Sequence, residues 1–514
     1  MYNSRRDFLK FLGLSTYSLS QLSAISFLSS CDKTESLFPS LKDDLVLIEG
    51  LEYKKLISFG DSINTQNVFG FNNDFITYKK LASDELLMWV NHEYVNPFFV
   101  SGFERTKENI DKERALVGGS IIKIKKINNE WTFVSNDPLN RAVRADTAMI
   151  FANGIEIEGS NSVIGTCSNC AGGYTPWNTF LTCEENTDQN YGERDSLTKT
   201  VSDTKYGWNA IYPHPPEHYG WIVEVEPETG KAKKHTNLGR FAHECATTIV
   251  SKSNQVVVYS ADDKADEHIY KFISKTNSNF EKGILYVADT KNGKWLPLDL
   301  ELSPILKKHF KSHTDLMINT REASKILGAT PLNRPEDIEV HPLTGDVYIT
   351  LTKNPKRKDY FGSILKISEK ESNHSSTTFS AEIFLLGGEE NSFSCPDNLA
   401  FDKNGNLWMC TDMSGPTIGK GPYTSFGNNG LFVIPTMGPR AGKVIQVASA
   451  PVDAELTGLC FSPDQKELFL SVQHPGELST DLKNPTSHWP NGGESTPRPS
   501  VVVISGEFLE NLTK

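Results

Sequence analysis

From about residue 45 onward, short runs rich in Val, Ile, Thr, Tyr and Phe are separated by clusters of Gly, Asn, Asp and Pro. Runs of this kind read as β-strands and the clusters between them as turns. Helical periodicity is scarce. The longest stretch that carries it spans Ser303 to Ile326, within which Pro304 to Phe310 is predicted to be helical. No regular alternation of strands and helices occurs, so an all-β architecture is expected.

One unit recurs along the chain: an acidic residue, an apolar strand, a turn, and a second strand rich in β-branched and aromatic residues. It is clearest in RPEDIEVHPLTGDVYITLT (334–352), CPDNLAFDKNGNLWMCTD (395–412) and ELTGLCFSPDQKELFLSVQ (455–473). A looser copy is HECATTIVSKSNQVVVYSADD (243–263). The acidic leaders Glu185, Glu244, Glu336, Asp397 and Glu455 stand roughly 60 residues apart, with one gap enlarged by the helical stretch near residue 310. Glu93, in VNHEYV, precedes Glu185 by a similarly enlarged gap. A period of this length fits the blades of a β-propeller, and six blades with inserted loops and short helices are expected.

In a propeller the start of each blade's innermost strand faces the central channel at one end. In-phase leaders would therefore converge on one point. Two unneutralised carboxylates 4 Å apart repel by about 4 kcal/mol at an effective dielectric near 20, so several together call for multivalent cations. Taken singly, each acid also fits the ordinary role of a turn residue opening a strand. The shared phase is what favours a metal site.

A length of 514 residues would ordinarily suggest about three domains, but with a repeat fold residues 44–514 are expected to form a single propeller domain. The net charge of −12 argues against a nucleic-acid partner and leaves metal cations as the natural counter-charge. The first 31 residues read as an address. Arg5-Arg6 precedes an uncharged, Ser-rich stretch of modest hydrophobicity, the layout of a twin-arginine export signal. It ends in Leu28-Ser29-Ser30-Cys31, which resembles a lipobox whose cysteine is acylated. Export followed by lipid anchoring at Cys31 is expected, in the periplasm or at the cell surface, with residues 32–43 as a tether.

Seven cysteines follow Cys31, and their odd number leaves at least one free of disulfides. Most sit in apolar runs and read as core. Cys170 is different. It opens NCAGGYTPWNTFLTCEEN (169–186), where Gly172 and Gly173 allow close backbone approach and φ > 0. Asn178 to Cys183 then reads as a strand that delivers Glu184 and Glu185. A soft thiolate and hard carboxylates would suit a mixed metal site; a small buried thiol beside a solvated acidic turn is the alternative.

These blocks resemble the PhoX family of exported alkaline phosphatases. The resemblance rests on NHEY (91–94), NCAGGYTPWNTFLTCEEN (169–186), GRFAHE (239–244), DDKADEHIYKF (262–272), RPE (334–336), QHPGE (473–477) and PRPSVVVI (497–504), in the family's order. It implies a propeller fold, phosphomonoester hydrolysis, and a cluster of Fe3+ and Ca2+ in the channel. Carried over residue by residue, Cys170 is an iron ligand, Glu185, Glu244, Glu336, Glu477 and Asp263 bind metals, and Arg334 binds the substrate phosphate. Arg334 would share a face with Glu336 if both lie on an extended strand, and guanidinium suits a phosphate fork. The block ADTAMIFANGIEIEGSNS (145–162) has no counterpart in that resemblance.

Other residues receive humbler roles. His243 and His92, each next to a leader on a strand, point to the opposite face and are expected to be structural. His474 is a candidate to orient Glu477. Asp397 and Asp412 stand as channel ligands or as turn acids. Trp177 is expected to anchor packing, and Lys264 and Lys271 to be solvated. The leading reading is a monomeric, metal-dependent phosphatase in which Arg334 orients the phosphate and the metals activate it for in-line attack. A calcium-dependent lactonase-like propeller would share the acids but have no use for Cys170. A non-catalytic surface lipoprotein would need a degraded ligand set.

Overall fold

The computed structural model describes residues 36–195 and 198–512. Six mainly antiparallel sheets follow one another along the chain and form the blades of a propeller. Their inner hairpins are Asn73–Lys80 with Glu85–His92, Asn169–Tyr174 with Phe180–Glu184, and Thr247–Val250 with Val256–Ala261. Pro335–Val340 with Val347–Leu351, Pro396–Phe401 with Asn406–Thr411, and Glu455–Phe461 with Glu467–Gln473 complete the set. The four recurring units of the sequence are four of these six hairpins.

The second strand of each hairpin is covered on both sides by neighbouring blades. It therefore reads as an unbroken apolar run, and Phe180–Glu184, Val256–Ala261 and Glu467–Gln473 are buried along their whole length. Between blades three and four, Val257 and Tyr259 pack with Ile338, Ile349 and Leu365. Between blades six and one, Phe469 and Val501 pack with Met88 and Ile122.

The ring is closed by the start of the domain. Glu52–Ser58 forms the outer strand of blade six, antiparallel to Ser500–Ser505, and Val46–Leu47 adds to the outer edge of blade five. The described part of the expected tether, Ser36–Asp43, also lies against the propeller. Leu37 N donates to the Gln446 carbonyl at 2.8 Å, and Asp43 accepts from Ser487 Oγ at 2.6 Å and from His488 N at 2.7 Å. The expected export signal and Cys31 lie outside the described residues. Among the described residues, no helix is long and apolar enough to cross a membrane.

Insertions account for the enlarged spacings. Between blades three and four, Pro304–Lys308 is a 3-10 turn followed by helices His313–Ile318 and Thr320–Leu327. The helical prediction over 304–310 thus lands on a tight turn with Pro304 at its start, and the regular helices begin later, where Ser312 caps the first by accepting from Asp315 N at 3.1 Å. Leu306, Phe310, Leu316, Met317 and Ala323 join the core of blades two and three, so the insertion is fastened to the propeller. The block 145–162, which matched nothing recognisable in sequence, supplies Ala148–Phe151, which adds to blade two beside its outer strand.

Candidate metal centre and active site

The site is built by a device repeated around the ring. In five inner hairpins the register slips by one residue on the inner strand, between Asn73 and Ile76, Asn169 and Gly172, Pro335 and Ile338, Pro396 and Leu399, and Thr457 and Cys460. In blade three an isolated bridge between His243 and Asp262 precedes a ladder that begins at Thr247 and Tyr259, which amounts to the same slip. A bulge of this kind bends the strand and re-aims a side chain. Immediately after the last regular pair come Asp74, Cys170, Glu244, Glu336 and Asp397, one per blade. Blade six has Gly458 there, at φ +62°, where a Cβ would lie 2.3 Å from the carbonyl oxygen of Asp74.

This geometry revises two of the sequence-derived leaders. Glu185 follows the second strand of blade two, and Glu455 opens the inner strand of blade six ahead of its bulge. The true leader of blade two is Cys170. That of blade one is Asp74, which the sequence reading missed. Acids that follow second strands form a further tier: Glu93, Glu185, Asp263 and Asp412. Gly172 and Gly173 have ordinary negative φ. They are needed for close approach, since a Cβ would meet the Leu181 carbonyl oxygen at 2.2 Å in the first case and that of Ala246 at 2.0 Å in the second.

The two tiers meet in a cavity of about 270 Å3 at the channel mouth. Eight carboxylates and one thiol form four overlapping groups in which ligand atoms lie within 4.8 Å of one another. Asp74, Glu93 and Cys170 form the first, then Cys170, Glu185 and Glu244, then Glu244, Glu336 and Asp397, and lastly Asp397, Asp412 and Glu455. Asp397 and Asp412, left open by the sequence, thus join the ligand-capable set. Cys170 Sγ is 3.1 Å from Glu244 Oε1 and 3.5 Å from Asp74 Oδ2. Gln473 Nε2 donates to Asp74 Oδ2 at 3.0 Å and to Glu93 Oε2 at 3.2 Å, and Thr352 Oγ1 donates to Glu336 Oε1 at 2.6 Å.

Burial, followed by mutual repulsion, pushes Glu185, Glu244, Glu336, Asp397 and Glu455 well above the ordinary carboxylate range. Burial also lifts Asp74 to about 7, and burial with the Asp74 charge lifts Glu93 to about 8. Burial, then Asp74 and Glu244, holds the Cys170 thiol high. Glu244 Oε2 is buried without a hydrogen-bond partner. Such a set of oxygen donors with one soft donor fits bound cations, oxygen suiting hard ions and thiolate a softer metal.

Arg334 is the cation inside this anionic ring. Its Nε and Nη2 bond Asp263 Oδ1 and Oδ2 at 2.8 and 2.6 Å, and Nη2 also reaches Glu336 Oε1 at 2.9 Å. Burial alone would raise Asp263, but the guanidinium outweighs it and holds Asp263 below its usual range. Asp263 is therefore an arginine partner and stands outside the four ligand-capable groups. Arg334 adopts φ +51°, so the expected extended strand through 334–336 starts one residue late, at Pro335. The contact with Glu336 comes from a left-handed turn and the bulge. Positive φ recurs at the corresponding residue of three other blades, Asn72, Ser168 and Cys395.

Glu477 lines the same cavity but lies outside the four groups; it accepts from Tyr94 OH at 2.8 Å. His474 stands 3.5 Å from Glu455 and 3.8 Å from Glu477, between the two. His243 turns away, bonding Ser260 Oγ and the Gly239 carbonyl at 2.9 Å each, and His92 bonds Ser120 Oγ at 2.8 Å. Trp177 donates to Glu224 at 2.7 Å and packs on Phe280. Lys264 bonds Asn186 Oδ1 beside the cavity. Lys271 is not solvated: it is fully buried and paired with Glu369 at 2.9 Å, because its face of blade three is covered by blade four. Every described cysteine is a free thiol.

Comparison with known proteins agrees with this architecture. The family model "Alkaline phosphatase PhoX" matches residues 33–476. The structure of Pseudomonas fluorescens PhoX in complex with vanadate, a transition state analogue, is 28% identical with a TM-score of 0.80, covering 92% of this chain and 98% of its own. A gluconolactonase from Xanthomonas campestris is 10% identical with a TM-score of 0.36, covering 90% of this chain and 97% of its own. A luciferin-regenerating enzyme is 11% identical with a TM-score of 0.33, covering 89% and 96%. These last two are too distant to bear on function. No curated protein sequence matches. With the family model and a closely superimposable structure extending over nearly all of the propeller, the chain belongs to the PhoX family of alkaline phosphatases.

Proposed function

We propose that this chain carries out the phosphomonoester hydrolysis of its family with Fe3+ and Ca2+ held by Cys170 and the surrounding carboxylates. The observation that carries this reading is the overlap of the four ligand groups, each sharing a member with the next. Eight carboxyl groups in one small cavity can all stay ionised only with several positive charges among them. Cys170, the single soft donor, would take iron, with Glu185 and Glu244 beside it. Glu336, Asp397, Asp412 and Glu455 on one side, and Asp74 and Glu93 on the other, would hold harder cations. Glu477 would act from the rim. When bound, the metals supply Lewis-acid polarisation of the phosphoryl group and a nucleophile activated at mild pH.

The chain's own residues do the rest. Asp263 fixes the Arg334 guanidinium in orientation. Neither bond to Asp263 uses Nη1, which is left for a phosphate oxygen. Asp263 also spares Arg334 from collapsing wholly onto the ligand Glu336. Gln473 bridges Asp74 and Glu93 and sets their separation, while Thr352 fixes Glu336.

Export by the twin-arginine route and anchoring through Cys31, with the propeller acting as a monomer, are part of the proposal. They rest on Arg5-Arg6 and Leu28-Ser29-Ser30-Cys31. The function is tested by following phosphate release from a phosphomonoester before and after chelation. Activity should vanish with the metals and return on adding iron and calcium together. Undiminished turnover after complete metal removal would defeat the reading.

A further inference from the structure

Beside the metal cavity lies a second one of about 250 Å3, and Glu185 lines both. The divide is the chain of contacts Lys264 to Asn186 to Glu185, in which Asn186 Nδ2 donates to Glu185 Oε1 at 2.6 Å. The far wall comes from the helical insertion, through Ile318, Asn319, Arg321 and Glu322, and Phe241 with Ala242 supplies an apolar patch. Resting on the phosphatase reading, we propose that this second cavity receives the leaving group, and that it selects neutral polyhydroxylated leaving groups, such as a single sugar ring or a short polyol, over anionic ones.

Charge decides the class. The two arginines of the cavity are already spent: Arg240 is bonded at both ends of its fork to Glu193, at 2.8 and 2.7 Å, and Arg321 likewise to the buried Asp262, at 2.7 and 2.5 Å. Lys264 bonds only the neutral amide oxygen of Asn186, so it keeps its charge and stands as one cation against the remaining carboxylates. Among the described residues, Asp188 and Glu322 line the same space and are paired with no cation, beside Glu185 and Glu193. A second phosphate on the leaving group would meet this excess of carboxylates. A hydroxyl would instead donate to them or to Asn319 Oδ1, whose amide N–H groups are taken by Asp315, and accept from Arg321 Nη1, which the Asp262 pair does not use. Size points the same way. The cavity is smaller than the roughly 300–1,000 Å3 usual for drug-sized ligands, so it takes one ring and not a base with its ribose.

The test compares kcat/KM for methyl phosphate, glucose 6-phosphate and fructose 1,6-bisphosphate on the metal-loaded full-length enzyme. Glucose 6-phosphate should exceed the bisphosphate by at least tenfold. Glu322→Lys, at an exposed position of the insertion, should narrow that ratio at least fivefold, and Asp188→Asn should narrow it in the same direction should the first variant fold poorly. An unchanged ratio in both folded variants, or equal turnover of the two sugars by the wild type, overturns the subsite. Methyl phosphate separates the two levels of argument. Its hydrolysis with an unmoved ratio sinks the subsite alone, and no hydrolysis of any ester sinks the phosphatase reading beneath it.

Discussion

Replacing Arg334 with alanine separates substrate binding from metal binding. Arg334 is bonded to Asp263 and Glu336 and lines the ligand-rich cavity without being a ligand itself. A charge-assisted hydrogen bond to phosphate is worth about 1.5–3 kcal/mol, or roughly tenfold to a hundredfold in rate. The backbone does not confuse the comparison. Arginine, lysine and alanine all carry a Cβ, so the strain of φ +51° is common to the three. Arg334→Ala should therefore lower kcat/KM for phosphomonoesters by at least tenfold while iron and calcium stay at wild-type levels. Arg334→Lys should rescue only part, since an ammonium cannot hold Asp263 with two parallel bonds and still offer a donor in a fixed plane. Glu336→Gln should fail differently, by losing metal. Steady-state kinetics paired with elemental analysis of each variant read these outcomes. Wild-type kcat/KM in Arg334→Ala would refute the phosphate-clamp role.

Asp74→Asn should lower metal content and activity together, because Asp74 shares a ligand group with Glu93 and Cys170; full metal content in that variant would remove it from the site. Glu369→Gln strips the buried Lys271 of its counter-charge and should destabilise folding by about 3–5 kcal/mol, read by denaturant titration, with metal content unaltered. Cys31→Ala should shift the mature protein from the membrane fraction to the soluble one without abolishing activity, and membrane retention would remove the lipobox reading.

The hairpins that the sequence displayed best, such as 334–352 and 395–412, are those whose second strands are unbroken apolar runs between two punctuating turns. In blade one Glu93 stands out but Asp74 does not, because it follows Asn72-Asn73 and lacks the preceding context that marks the other leaders. Blade two was assigned to Glu185 because the leader position of its inner strand holds Cys170, and an acidic pattern cannot find a thiol. The bulges were invisible for a different reason: a one-residue slip alters which way a side chain points without altering composition or period. Arg334 at positive φ is likewise unreadable, since arginine has no special preference for that region. Lys271 was expected to be solvated as lysines usually are, but in a propeller both faces of a blade are covered, and it is buried against Glu369. The candidate donors Cys170, Glu185, Glu244 and Glu336 nevertheless do meet in one cavity.

The most direct measurement is the metal content of purified, active protein beside that of Cys170→Ser. Iron and calcium should both be present in the wild type, and Cys170→Ser should lose iron and most phosphatase activity while keeping its fold by circular dichroism. Phosphomonoester hydrolysis at full rate by protein that contains no iron, or normal iron in Cys170→Ser, would contradict the mixed thiolate–carboxylate centre.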